Sequence, residues 1–176
     1  YIINAIKNCQ IIFAENERTA RRFLKSICKE IVIDDYEWHT IHKVEAEQIS
    51  IFKQKIKEEK NIAIISEAGC PGIADPGQIL INAAKQLNGI IKTLVGPSSI
   101  LLALMASGMN GQQFQFVGYL PIDALARTLK INKLEEESTR KKCTQIFIET
   151  PYRNNQMLET ILKTCKSTTQ LCIACE

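Results

Sequence analysis

Short apolar runs alternate with amphipathic stretches in the first part of this chain. The runs QIIFA (10–14) and NIAIIS (61–66) are nearly continuous, as is typical of parallel strands that helices cover on both faces. Residues 16–27 have a helical pattern with Asn16 as the predicted N-cap. Residues 46–60 place apolar side chains along one helical face. The pattern predicts strands and helices in alternation.

Two loops rich in glycine and proline interrupt this pattern, each between a predicted strand and a predicted helix. SEAGCPGIADPG (66–77) leads into a helix that ends near Gly89. GPSS (96–99) follows the predicted strand IIKTLV (90–95) and leads into a helix that ends at Gly108. A repeated strand, loop and helix predicts an α/β doubly wound parallel sheet, in which ligands bind beyond the carboxyl ends of the strands.

The composition of the chain changes after Asn110. Residues 110–123 mix glycine, proline and polar residues, which predicts a domain connection. We therefore predict an N-terminal domain at 1–117 and a smaller α/β domain at 118–176. A sheet of two strands is not stable alone in water, so more strands are expected beyond Glu176. In the second domain we predict a charged helix within 124–142, a strand at 143–149, a helix at 151–165 and a last strand at 169–176.

Length and composition are those of a soluble globular protein, with 176 residues, 45% hydrophobic and 23% charged. The net charge of +3 selects no class of partner by itself. No run approaches the roughly 20 apolar residues that cross a bilayer, and the first residues lack the zones of a signal peptide. We therefore expect a cytoplasmic protein without a membrane partner.

The seven cysteines form no even-numbered framework, which favours free thiols in a reducing cytoplasm over a disulfide scaffold. Cys172 and Cys175 form a C-x-x-C within an apolar, strand-like run. Burial as small hydrophobic residues is favoured over a metal or redox site, because no second C-x-x-C or histidine lies nearby. No metal is predicted.

The composition of the loop at 66–77 indicates a small-molecule site. Gly69 and Gly72 allow the backbone to approach a ligand closely, and Pro71 fixes φ before a ligand binds. Amides at the start of the helix after 96–99 suit a carboxylate or another polar group. The loops match neither G-x-x-x-x-G-K-[ST] nor G-x-G-x-x-G, which disfavours nucleotide triphosphatases and dehydrogenases. A purely structural role for the loops remains the alternative.

Four cations lie on one face of the helix at 16–27, since Arg18, Arg21, Arg22 and Lys25 follow the spacing i, i+3, i+4 and i+7. A solvated helix face is one explanation of this pattern. The other explanation is contact with phosphate groups, which the position beside the predicted ligand site favours.

Several motifs together carry a family resemblance. They are SEAGCPGIADPG, LVGPSSILLALMASG, FQFVGYLP and IFIETPYRN, preceded by FAENERTARRFL. In this order they resemble the tetrapyrrole methylase superfamily, and within it the ribosomal RNA small subunit methyltransferase I branch. The resemblance implies two α/β domains with S-adenosylmethionine in the cleft between them, usually in a homodimer. It also implies methylation of a cytidine ribose 2′-hydroxyl in small-subunit ribosomal RNA.

The resemblance also implies which residues form the site. The basic face Arg18, Arg21, Arg22 and Lys25 is the expected RNA contact. From its position in a turn, Asp75 is expected to hold its loop through backbone hydrogen bonds, and Ser98 is either a pocket residue or an N-cap. The implied cofactor-binding residues are Ser66, Glu67, Ala68, Gly69, Pro71 and Gly72, with Pro97, Ser98, Ser99, Thr150 and Tyr152.

Methyl transfer to a hydroxyl requires alignment of the reactants and a proton acceptor. Glu15, Glu149 and Arg153 are the candidate catalytic residues, because they lie at or near predicted strand ends beside the expected cleft. Either carboxylate could accept the proton or hold the arginines by charge pairing.

The chain departs from the family pattern at three points. The first strand of the family, with its T-P-I-G-N loop, has no counterpart before Tyr1. Glu67 stands where the family has aspartate, and Tyr152 stands where it has histidine. Two alternatives therefore stay open: a methyltransferase of a small tetrapyrrole-like molecule, and a binding module without catalysis. The basic face favours RNA over a small substrate.

Overall fold

The computed structural model describes residues 2–41, 45–94 and 96–175. The chain forms two compact units, Tyr1–Pro97 and Ser98–Glu176. The predicted domain boundary after Val117 remains a prediction, and it falls within a strand of the second unit.

The first unit is a parallel three-stranded sheet with helices. The central strand β1 pairs with β2 on one side and with β3 on the other, so that the order is β2-β1-β3. Its elements are α1 (Ile2–Lys7), β1 (Ile11–Ala14), α2 (Glu17–Ile27), a 3-10 turn (Ile33–Asp35), β2 (Glu37–Thr40), α3 (Glu45–Lys57), β3 (Ile62–Ile65) and α4 (Gln78–Gln86).

Strand β1 supplies side chains to two separate cores because successive residues point to opposite faces of a sheet. Ile11 and Phe13 pack in a cluster with Phe52 of α3 and Leu80 of α4. Ile12 and Ala14 pack in a second cluster that includes residues of α1 and α2. Helices thus cover both faces of the sheet, and the predicted doubly wound parallel arrangement is confirmed.

Two expectations for this unit need correction. No strand was predicted within residues 31–43, yet Glu37–Thr40 pairs along its whole length with β1. The strand predicted at 90–95 is absent from its described residues, 90–94. Ile90 is 99% exposed, so this apolar run has neither the burial nor the neighbouring strand that stabilise a strand.

The second unit is a two-stranded parallel sheet with helices. Strands β4 and β5 pair in parallel, joined by the long helix α6. The core contains Leu120, Ile131 and Leu134, with Met157 and Ile161. The elements are α5 (Ser99–Ser107), β4 (Phe114–Tyr119), α6 (Ala124–Lys141), β5 (Thr144–Ile148), a 3-10 turn (Pro151–Arg153) and α7 (Asn154–Thr164).

The second unit also corrects two expectations. The segment at 110–123 was expected to be a connection, but it contains β4. No strand lies within 169–175, the described part of the predicted last strand. Cys172 and Cys175 are exposed there, so their expected burial is wrong, because no neighbouring strand covers them. Within the described ranges, no helix is long and apolar enough to cross a lipid bilayer.

Candidate functional site

The loop at 66–77, which we call the glycine loop, starts where β3 ends and leads directly into α4. It closes on itself through two backbone hydrogen bonds. The Gly72 amide donates to the Pro76 carbonyl at 3.1 Å, and the Ile73 amide donates to the Cys70 carbonyl at 3.0 Å. The loop therefore has a defined shape at the carboxyl end of a strand, where the sequence placed it.

Two glycines of the glycine loop combine positive φ with a close neighbour. Gly77 has φ +123°, and a Cβ there would lie 3.3 Å from Cγ2 of Ile64 in β3. Gly69 has φ +110°, and a Cβ there would lie 3.0 Å from Oδ2 of Asp75. Backbone with such φ values strains any L side chain. Gly77 thus lets the loop close against the sheet, and Gly69 lets it close against Asp75.

Asp75 holds the glycine loop from within. Its carboxylate accepts a hydrogen bond from the Ser66 side chain, and this bond lowers its pKa. Burial and the charge of Glu15 act in the opposite direction and are larger, so the pKa of Asp75 is raised. Among the described residues, no group donates to the buried Oδ2 atom. A side-chain hydrogen bond from Ser66 thus ties Asp75 to the loop, whereas backbone hydrogen bonds were expected from the sequence.

Glu15 and Glu67 join the start of the glycine loop to the connection between β1 and α2. The Glu67 amide donates to Oε2 of Glu15 at 2.9 Å. The Thr19 hydroxyl of α2 donates to Oε1 of Glu67 at 2.7 Å. Carboxylates accept hydrogen bonds from hydroxyl and ammonium groups and attract cations. No group of three metal-binding side chains is found in the residues that the structure covers.

The basic face of α2 has two kinds of residue. Arg21 forms an ion pair with Glu17 at 2.6 Å, approaches Asp34 at 3.7 Å and stacks on the Trp38 ring at 4.9 Å. These contacts give Arg21 a role in the fold. Arg18, Arg22 and Lys25 are exposed, and Lys25 donates to the Lys29 carbonyl at 3.2 Å.

In the second unit, Glu149 and Arg153 form an ion pair with each other. The pair is anchored further, since Arg153 also donates to the Leu120 carbonyl at 3.0 Å and the Thr150 amide donates to Glu149 at 2.7 Å. Burial raises the pKa of Glu149, but the hydrogen bonds from Arg153 and Thr150, with the Arg153 charge, together outweigh it and leave the pKa lowered. Glu149 is thus an ionised, tightly held carboxylate.

The other predicted cofactor residues lie outside the glycine loop, where the first unit meets the second in the chain and around the 3-10 turn after β5. Pro97 closes the first unit, and Ser98 opens the second as the N-cap residue of α5. In the structure as described, the Ser98 side chain makes no capping hydrogen bond. Thr150 precedes the 3-10 turn with extended backbone, and Tyr152 within that turn is 97% exposed. Their role in binding stays a prediction.

Arg127 is a structural residue that the sequence analysis did not single out. Only 3% of Arg127 is exposed. Its Nε donates to Oγ1 of Thr160 at 3.1 Å and its guanidinium donates to the Ile122 carbonyl at 2.9 Å. The spacing of Arg127, Ile131 and Leu134, at i, i+4 and i+7, could have placed it on the buried face. Arg127 and Arg153 together hold the segment after β4.

The structure defines an α/β protein with parallel sheets and a closed glycine loop at a strand end. A family model described as Tetrapyrrole (Corrin/Porphyrin) Methylases matches residues 2–176. The chain belongs to this family, and the predicted membership is confirmed.

Comparisons with known proteins agree with this assignment. The chain is 30% identical to ribosomal RNA small subunit methyltransferase I of Mycobacterium bovis over 149 residues, which cover 85% of this chain and 50% of that protein. The corresponding protein of Halalkalibacterium halodurans is 30% identical over 161 residues, covering 91% of this chain and 53% of that protein. The chain therefore spans about half the length of these curated relatives.

A solved structure shows the same fold. The crystal structure of the methyltransferase CobJ aligns with a TM-score of 0.57 at 16% sequence identity, covering 94% of this chain and 69% of that chain. The predicted tetrapyrrole-methylase-like fold is thus confirmed.

Proposed function

We propose that the protein is an S-adenosylmethionine-dependent methyltransferase that modifies the 2′-hydroxyl of a cytidine ribose in small-subunit ribosomal RNA. The observation that carries the proposal is the closed glycine loop at the end of β3, in a chain of the tetrapyrrole methylase family. The names of the relatives support RNA as the substrate. A homodimer, as the resemblance implies, and a cytoplasmic location, as the sequence predicts, are part of the proposal, and the mass in solution tests the dimer.

The first unit fits the cofactor chemically. Glu67, Ala68 and Gly69 are exposed at the loop surface, so their backbone groups are open to a ligand. Glu15 and Asp75 lie beside them. When bound, S-adenosylmethionine supplies a methyl group on a positively charged sulfur. Carboxylates beside the loop suit that charge, the ammonium group and the ribose hydroxyls.

The remaining predicted pocket residues belong to the same proposal. They would complete the binding of the cofactor's polar groups through hydroxyls and backbone amides. They are Ser66, Pro71 and Gly72 in the first unit, Pro97 at its end, and Ser98, Ser99, Thr150 and Tyr152 in the second.

The proton acceptor is assigned by comparing the two predicted carboxylates. Glu149 has a lowered pKa and is paired with Arg153, which makes it a weak base near neutral pH. Glu15 lies at the end of β1 and accepts the Glu67 amide through Oε2. We therefore assign Glu15 to accept the proton of the attacked hydroxyl, and Glu149 and Arg153 to hold the segment after β4.

The substrate assignment rests on the exposed cations of α2. Arg18, Arg22 and Lys25 are exposed on one helix, and such cations contact phosphates along a nucleic-acid backbone. Arg21 is taken out of this set by its contacts with Glu17 and Trp38.

Calorimetric titration with S-adenosylmethionine tests the cofactor assignment. We expect binding by the wild type and its loss in Gly69→Ala, because the new Cβ would meet Asp75 in backbone of φ +110°. Gly108→Ala is the matched control, since Gly108 also has positive φ, +68°, but nothing lies within 4 Å of its Cβ position. No binding by folded wild type would refute the cofactor assignment.

Methyl transfer tests the substrate. Labelled S-adenosylmethionine is incubated with the protein and small ribosomal subunits, and the RNA is digested to nucleosides. We expect label in 2′-O-methylcytidine. Label in another nucleoside would correct the target, and transfer to a small tetrapyrrole instead of RNA would support the alternative substrate.

A further inference from the structure

Thr19 and Glu67 link the basic helix to the glycine loop directly. The Thr19 hydroxyl donates to Oε1 of Glu67 at 2.7 Å, across 48 positions of the chain. Thr19 follows Arg18 immediately and precedes Arg22 by three positions, so it lies in the part of α2 that carries the exposed arginines. A single hydrogen bond therefore connects the helix of the proposed RNA contact with the loop of the proposed cofactor site.

A second set of bonds makes this link stiff. The Glu67 amide donates to Oε2 of Glu15 at 2.9 Å. Asn16 caps α2 by accepting the Thr19 amide at 3.3 Å. Residues 15–19 and Glu67 thus form a closed ring of covalent and hydrogen bonds. A shift of the first turn of α2 acts on Glu67 through both its backbone and its side chain.

The glycine loop transmits such a shift toward the cofactor. Gly69 lies two residues after Glu67, and its backbone is packed so close to Asp75 that a Cβ would lie 3.0 Å from Oδ2. Ser66, on the other side of Glu67, is bonded to the same Asp75 carboxylate. Glu67 is therefore held between two fixed points, and its position determines that of the exposed backbone at Ala68.

We propose that Thr19 is a positioning residue, whose hydrogen bond to Glu67 couples RNA binding at α2 to cofactor binding at the glycine loop. This inference rests on the proposed function. The Thr19–Glu67 bond lies at the surface, so by itself it adds little stability, but it completes the ring that holds Glu67 relative to the first turn of α2. A ligand at either end fixes one partner, and the second ligand then binds to an ordered site with less loss of entropy. The coupling is positive and equal in both directions.

The test measures the affinity for an unreactive cofactor analogue with and without RNA. S-adenosylhomocysteine is titrated calorimetrically against the protein, alone and saturated with small-subunit ribosomal RNA transcribed in vitro. In the wild type we expect RNA to strengthen analogue binding about 5-fold or more. Thr19→Val keeps the shape of the side chain but removes the hydroxyl. In this variant we expect the ratio of the affinities with and without RNA to be close to one. Thr19→Ser keeps the hydroxyl and is expected to retain the coupling.

A matched control separates this effect from the loss of any helical threonine hydroxyl. Among the contacts of the described residues, Thr128 of α6 donates only within its own helix, to the Ala124 carbonyl at 2.9 Å. Thr128→Val is expected to keep the wild-type coupling. Without RNA, the affinity of Thr19→Val for the analogue is expected to be close to that of the wild type. A structural defect in the glycine loop would instead lower this affinity.

The outcomes distinguish this inference from the proposed function. Equal ratios in the wild type and Thr19→Val, with both ligands bound, would overturn the coupling and leave the methyltransferase proposal intact. A ratio of one in the wild type would have the same meaning. Failure of the folded wild type to bind the analogue or the RNA would overturn the proposed function, and the coupling with it.

Discussion

Arg153→Met removes a guanidinium from an ion pair that is mostly buried. The Glu149 side chain is 8% exposed and that of Arg153 is 19% exposed. Arg153 also donates to the Leu120 carbonyl at 3.0 Å. Methionine has a comparable length but no donor, so the variant leaves Glu149 as a charge without its partner in a largely desolvated place.

The expected loss of stability follows from these contacts. Removal of one member of a buried ion pair costs about 3–5 kcal/mol, and the partial exposure of Arg153 places the loss near the lower end. The bond to the Leu120 carbonyl adds about 1 kcal/mol. We therefore expect Arg153→Met to lower the opening free energy of β5 by about 3–4 kcal/mol at pH 7.

The sign of the pH dependence follows from the lowered pKa of Glu149. In the wild type, the stabilisation by the pair is present above the ordinary glutamate value of 4.5 and is lost as the pH falls through the lowered folded pKa. In Arg153→Met, protonation of Glu149 relieves the cost of the buried charge. The difference between wild type and variant is therefore expected to shrink as the pH falls, through protonation of the variant's Glu149 above 4.5 and through loss of the wild-type pair below 4.5.

Amide hydrogen exchange of Thr144–Ile148, read by mass spectrometry, measures the opening free energy of β5. Lys163→Met is the matched control, because its i,i+4 pair with Glu159 is 3.7 Å long and both side chains are mostly exposed. Such a pair contributes about 0.3–0.5 kcal/mol. An Arg153→Met variant that exchanges like the control would refute the structural role, and a specific loss of methyl transfer would then indicate a catalytic one.

Three further predictions concern the first unit. Asn16→Ala removes the N-cap of α2 and is expected to cost about 1 kcal/mol in urea denaturation, whereas an unchanged midpoint would contradict the capping role. Asp75→Asn is expected to be more stable than the wild type at pH 7, because burial and a neighbouring carboxylate raise the pKa of Asp75. The wild type therefore loses stability as the pH rises through that folded pKa, and the greater stability of the variant should vanish below the ordinary value of 3.8. A variant that is still more stable below this pH would show that the raised pKa of Asp75 is not the cause. The double variant Arg18→Glu and Arg22→Glu is expected to weaken RNA binding and to reduce the slope of log affinity against log salt by about 1.4 or more, whereas Arg21→Met should lower thermal stability more than RNA affinity.

The elements that the sequence predicted well are those with a simple burial pattern. Strands β1 and β3 are apolar runs, and β1 is covered by helices on both faces. Strand β2 was missed because Glu37 and His39 interrupt its apolar pattern. Strand β4 was missed because Gln115 and Gly118 interrupt its apolar pattern. Polar residues and glycine within a strand weaken the periodic signal on which such predictions depend.

The candidate site was predictable to the extent that its chemistry is local. The glycine loop could be found because glycine, proline and a strand end follow one another along the chain. The hydrogen bond between Thr19 and Glu67 joins residues 48 positions apart, and no local pattern marks it. The same is true of Arg21, whose partners Asp34 and Trp38 reach it only through the packing of α2 against β2.

The central position of β1 also fixes the register in which the three strands pair. Its four residues are almost completely buried, with Phe13 and Ala14 facing opposite cores. A slip of β1 by one residue would exchange the two faces, forcing a phenylalanine ring into space shaped for a methyl group and leaving a void on the other side. Deletion of a single residue within β1 should therefore prevent folding of the first unit, even though every remaining side chain of the strand would still be apolar.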